Sequence, residues 1–296
     1  MCPRPKSLYK TPRQTYGRLC DGKVWVEEGT QVHKVDKVNR VDKVNKVDRQ
    51  TQSLYTLIPK SLTHSITQSL NPMTRETLDR KLKELRDGVL ILGSMVEQAI
   101  LDAVDALKRQ DINTARRVYL DDEKINHKRF ELERDCLILI ATQQPMAHDL
   151  RILAAVLEII TELERMGDYA KGIARICLNT ANEPLLRPLT YIPKMADLTV
   201  GMLHRALEIF IHEDAEAARQ LPKEDDAVDE LYNEVHRDLL DFMIKDPSTV
   251  DRANSLMWAA HNLERTADRV TNICERIIFV ATGEMLELDH SDDELR

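Results

Sequence analysis

The chain has 296 residues, with 42 Lys and Arg against 50 Asp and Glu and only 4% aromatic side chains. Sparse aromatics, glycines and prolines favour long helices and argue against a β-sandwich. The charge is divided: residues 1–72 carry 13 basic against 6 acidic side chains, whereas residues 73–296 carry 29 against 44. The acidic field of that larger part disfavours nucleic acid, whose binding depends on neutralising phosphates with Lys and Arg.

Residues 1–72 differ from the rest. The run Val32–Asp48 iterates valine, a polar residue and Lys or Arg every three positions, which fits neither the helical period of 3.6 nor the strand period of 2. It predicts a disordered, basic, low-complexity extension over 1–72. No cationic, apolar, small-residue sequence of a secretory signal precedes it. A helix start follows at Met73-Thr74-Arg75-Glu76-Thr77.

From there the spacing predicts six helices, over 74–109, 111–143, 148–181, 191–213, 214–245 and 249–282. Asp111-Ile112-Asn113 and His212-Glu213-Asp214 offer capping side chains, while Pro145, the Pro184/Pro188/Pro193 group and Asp246-Pro247-Ser248 interrupt the pattern. The expectation is an all-α fold of two tandem three-helix bundles, 73–183 and 191–283, followed by an acidic tail over 284–296. No stretch approaches the roughly 20 apolar residues of a membrane span; the longest candidates, Cys136–Ala141 and Ile152–Ile160, are short. Membrane contact is therefore expected only through partners. The five cysteines have neither CxxC spacing nor an even count and are expected to be reduced thiols of a cytoplasmic protein.

The third and sixth helices carry matching heptad seams: Leu153, Val156, Ile160, Leu163, Gly167, Ala170, Ala174 and Cys177, then Ala253, Leu256, Ala260, Leu263, Ala267, Val270, Cys274 and Ile277. Spacing that alternates three and four marks the packing edge of a bundle helix, with Gly167 and Ala267 small enough for close approach. Beside each seam lies a carboxylate pair, Glu164/Asp168 and Glu264/Asp268, one hundred residues apart. Four-residue spacing places both acids of a pair on one face, where like charges repel by roughly 0.2–0.5 kcal/mol. Repetition of an unfavourable arrangement points to a bound cation.

The second helix of each unit repeats as well, Asp122/Asn126 aligning with Asp225/Asp229 at an offset of 103, with Glu123 and Asp226 as neighbouring extra acids. If second and third helices pack antiparallel, each unit gathers four oxygen-bearing side chains. Such oxygens are hard ligands suited to magnesium, manganese, calcium or iron rather than to thiophilic metals. The alternative is a solvated acidic face, with Arg165 and Arg265 at hand to neutralise it. A di-iron enzyme of the ferritin type is the other competitor, but its Glu-x-x-His motif occurs only at Glu287/His290, in the acidic tail. His127, His148 and His261 are expected to make structural or surface hydrogen bonds. No nucleophile, base and oxyanion hole assemble, and no glycine-rich phosphate loop is present.

The runs Gln144-Pro145-Met146-Ala147-His148-Asp149-Leu150-Arg151 and Ile159-Ile160-Thr161-Glu162-Leu163-Glu164-Arg165-Met166-Gly167-Asp168-Tyr169-Ala170 resemble the PhoU family. The resemblance spans roughly 73–283, and the family's Glu/Asp-x-x-x-Asp motifs match Glu164/Asp168, Asp225/Asp229 and Glu264/Asp268. Asp122/Asn126 departs by one amide, for which Glu123 could compensate. Residues 1–72 and the acidic tail fall outside it. The resemblance implies a cytoplasmic, non-enzymatic regulator that binds iron or other divalent metal on these motifs and forms a homodimer. It also implies two partners, a phosphate ABC transporter ATPase subunit and the sensor histidine kinase of a phosphate two-component system. Such a protein restrains uptake and the starvation response when phosphate is plentiful. The opposing expectation is a carboxylate-bridged metal enzyme on the same bundle.

Overall fold

The computed structural model describes residues 17–20, 23–28, 31–34, 75–181, 186 and 189–288. It divides into two compact units, residues 1–70 and 71–296. In the first, β1 (Gly17–Cys20), β2 (Lys23–Glu28) and β3 (Gln31–Lys34) form an antiparallel meander in the order β1-β2-β3. These three short segments lie within the extension over 1–72 that the composition marks as basic and low-complexity. Val24-Trp25-Val26 is a β-branched and aromatic run, the kind that favours strands, and the pairing registers run from Cys20↔Lys23 and Glu28↔Gln31. Most of the iterated run, and all else between residues 1 and 74, lies outside the described residues.

The second unit is all helical. Its elements are α1 (Arg75–Arg109), α2 (Ile112–Gln143), α3 (Ala147–Thr180), α4 (Tyr191–His212), α5 (Ala215–Gln220), α6 (Asp225–Lys245) and α7 (Val250–Thr282). Asp111 and Asp214 cap α2 and α5, each carboxylate accepting from two backbone N–H groups two and three residues ahead, donors that would otherwise lack partners. The expected single helix over 214–245 is broken: a 3-10 turn, Leu221–Glu224, separates α5 from α6. Pro222 explains the break, because its ring clashes with the preceding turn and it has no N–H for the helical ladder.

Every seam residue of α3 and α7 is buried, as the alternation of three and four requires. Each repeat packs its three long helices together, α1–α2–α3 and α4–α6–α7, and the repeats join most extensively through α3 against α7, with α1 against α4 beside them. One core thus serves both repeats. Gly167 shows why its position is small: a Cβ there would lie 3.2 Å from two carbon atoms of Ile125 on α2. Cys136, Cys177 and Cys274 are buried free thiols, and burial pushes Cys136 and Cys274 up to about 12. Among the described residues no helix is long and apolar enough to cross a membrane.

Candidate functional site

Antiparallel packing of α2 on α3, and of α6 on α7, sets Asp122, inside α2, and Asp225, at the start of α6, beside the carboxylate pair of the third helix of each repeat. In the second repeat the Pro222 break sets Asp225 at the start of α6. Asp225, Asp226, Asp229, Glu264 and Asp268 then line an open cavity of about 590 Å³ between α6 and α7. Burial and the neighbouring carboxylates Asp229, Asp268 and Glu264 push Asp225 up to about 7. Burial, Asp268 and Asp229 raise Glu264 to about 7 as well. Asp229 and Asp268 are raised chiefly by burial, Asp268 being partly relieved by Arg265, Arg269 and His261. Two buried oxygens, Asp225 Oδ1 and Glu264 Oε2, accept no hydrogen bond.

The cations near this cluster are largely engaged elsewhere or poorly aimed. Arg269, among the described residues the one Lys or Arg lining the cavity, reaches Glu162 of α3 at 3.3 Å. Arg265 Nε stays 3.6 Å from Asp268 Oδ2. His261 Nδ1 lies 3.1 Å from Glu264 Oε2 but without hydrogen-bond alignment. The segment following α7 completes the wall: Leu288 N donates to Glu275 Oε1 at 2.8 Å, and Glu275, Glu287 and Leu288 all face the cavity. Part of the acidic tail therefore lies against the site. His290 is outside the described residues.

The first repeat is different. Asp122 is buried, and Lys171 of α3 donates to its Oδ2 at 2.6 Å while Asn126 Nδ2 donates to the same oxygen at 3.1 Å. Burial and Asp168 raise Glu164, and Arg129 on α2 offsets part of that rise. Burial and Asp122 raise Asp168, with Lys171 working against them. The cavity beside Asp122 is lined mostly by apolar groups of α1 and α2, such as Leu90, Met95 and Ile125, and includes neither Glu164 nor Asp168. Glu123 is exposed and lines neither this cavity nor the acidic one.

Sequence reasoning passed over Lys171, although comparison with Thr271 at the same offset of one hundred exposes it. It also passed over Glu162, which accepts from Arg165, Arg269 and Asn272. Arg165 thus hydrogen-bonds Glu162, and only its charge is felt at Glu164. His148 pairs with Glu213 at 3.1 Å, far along α3 from Glu164, and His127 is exposed. Among the described residues no three His, Cys, Asp or Glu side chains converge into a ready-made metal cage. The four acids of the second repeat share a cavity, and closing on one ion requires side-chain rotation.

The fold has counterparts among known proteins. The profile of the PhoU domain matches twice, at residues 89–177 and 192–277. A phosphate-specific transport system accessory protein PhoU from Edwardsiella tarda is 34% identical over 225 residues, 76% of this chain and 93% of that protein. The crystal structure of PhoU from Pseudomonas aeruginosa superposes with a TM-score of 0.66 at 30% identity, over 70% of this chain and 99% of that one. The phosphate transport system regulatory protein PhoU from Streptococcus pneumoniae gives 0.66 at 29% identity, over 71% and 99%.

Proposed function

The chain belongs to the PhoU domain family, and from that membership we propose that it is a cytoplasmic, non-enzymatic accessory regulator of phosphate-specific transport. It restrains uptake and the starvation response when phosphate is plentiful. The observation that carries a mechanism is the acidic cavity of the second repeat, where Asp225, Asp229, Glu264 and Asp268 face one another across α6 and α7.

Two buried carboxylate oxygens without hydrogen bonds, in a set of hard oxygen donors, fit a divalent or iron-type cation. Asp225, Asp229, Glu264 and Asp268 would hold it, with Asp226 at the rim. A bound cation supplies positive charge that cancels the mutual repulsion of these acids. The chain's own groups do the rest: α6 and α7 carry the ligands on rigid helices, and Glu275 with the backbone at Leu288 holds the following segment along the same wall. The cavity then presents one rigid surface, formed from both helices, to a partner. Those partners are the phosphate transporter's ATPase subunit and a sensor histidine kinase, met by a homodimer. The absence of a spanning helix among the described residues favours membrane contact through them alone.

The test is a phosphate-starvation reporter measured at high phosphate in the native host. Loss of the gene should derepress it, the full chain should restore repression, and the E264Q/D268N variant should restore less. A reporter that stays silent without the gene would sink the regulatory reading. Full restoration by the variant would remove the cavity from the mechanism.

A further inference from the structure

The two repeats are built alike but charged differently. Aligned by the offsets of 103 and 100 residues, Asn126, Arg129 and Lys171 of the first repeat stand where the second has Asp229, Tyr232 and Thr271. Each exchange moves the charge in the same direction. The geometry makes the exchanges count: Lys171 Nζ is 2.6 Å from Asp122 Oδ2, and Arg129, paired with Glu133 at 3.1 Å, still lies near enough to Glu164 to favour its ionised form. At the matched place in the second repeat, the Tyr232 phenol lies near Glu264 and brings no charge. Two positions beside the cluster run the other way, Tyr169 against Arg269 and Thr161 against His261; Arg269 is shared with Glu162, and His261 faces Glu264 Oε2 without hydrogen-bond alignment, so neither donates into the cluster as Lys171 does.

We propose that the first carboxylate cluster carries its cation covalently, as Lys171 supported by Arg129, and that the chain takes up metal at the second cluster alone. The proposal rests on the metal reading of the second cluster given above. An ammonium hydrogen-bonded to Asp122 already supplies the positive charge that an ion would bring. A cation entering there must displace Lys171 and then sit beside it, with the amide of Asn126 in place of a carboxylate. Asp122 Oδ1 remains without a hydrogen bond, yet the carboxylate as a whole is neutralised. The repeat is thereby divided between a metal-independent structural half and a metal-responsive half.

The experiment adds Mn²⁺, or Fe²⁺ under anaerobic conditions, to metal-free full-length protein and counts retained ions by elemental analysis after dialysis. The E264Q/D268N variant should retain only background metal. The E164Q/D168N variant should retain as much as the parent. The N126D/R129Y/K171T variant, which copies the second repeat into the first, should about double the retained metal. Loss of metal in E164Q/D168N overturns the proposal and leaves the metal reading standing, as does a folded triple variant that gains none. A parent chain that retains neither ion overturns both. Should the triple variant fail to fold, the two carboxamide variants still decide, because Glu164 and Asp168 are not fully buried.

Discussion

At the scale of single residues, what distinguishes the repeats is whether an acid has company of the opposite sign. Asp225 rises from 3.8 and Glu264 from 4.5, both to about 7, so the folded protein binds their protons more tightly than the unfolded chain. The stability they contribute is complete below the ordinary carboxylate range and is lost as pH rises through about 7. Held in chelator, the protein should melt at a lower temperature at about pH 8 than at about pH 5, with the D225N/E264Q variant showing a flatter profile. A parent profile that is flat, or that rises across this interval, would count against the clustering. Carboxylates with lowered values, such as Asp111 beside Thr114, act below this window and do not mask it. Identities at these positions were readable from the repeat; their neutralisation was not, because it depends on which distant side chain reaches which oxygen.

At the scale of elements, capping and breaking were legible and close approach was half legible. Asp111 and Asp214 cap as a short acid before a helix should. Pro222 was present to be read, and its effect is local, so the interruption between α5 and α6 was in principle available from sequence. Gly93 was not, since its role is set by α4. A Cβ at Gly93 would fall 2.2 Å from Leu207 Cδ1, and Leu207 is itself buried in the shared core. Gly93→Val should therefore force α1 away from α4 and cost about 1–3 kcal/mol, seen as a lower urea midpoint. Gly93→Ala should cost less, because moving one methyl of Leu207 is partly offset by about 1 kcal/mol of helix propensity. Equal stability of the valine variant and the parent would show that the α1–α4 contact is looser than the structure has it.

At the scale of the whole molecule, the repeats behave as one body because α3 and α7 pack together and Glu162 links them. Arg165 donates to its Oε1 at 2.7 Å, and Arg269 and Asn272 donate to its Oε2 at 3.3 and 3.2 Å. Removing one partner from a buried charged pair costs about 3–5 kcal/mol; with Arg165 half exposed and Arg269 also reaching Tyr169, Glu162→Ala should cost about 2–3 kcal/mol. The helical unit should still unfold in a single transition at a lower denaturant concentration. Two separated transitions in the parent protein would show that the repeats are independent domains joined by a linker. The acidic tail belongs to this scale too: composition marks it as a charged appendage, yet Leu288 and Glu287 complete the cavity wall, a contact with α7 that no local pattern encodes.

By itself the sequence determined the helical class, the duplication, the seams of α3 and α7, the caps and the eight candidate ligands, because each follows from spacing along one helix or from a residue's own backbone preference. The tertiary structure alone decided that the two repeats share a core, that Glu162 ties them, and that the clusters are unequal. These features depend on side chains far apart in the chain meeting at hydrogen-bond distance, as Lys171 meets Asp122 across 49 positions. Helical periodicity orients a side chain on its own helix, whereas charge balance in a site is settled by what the neighbouring helix presents to it.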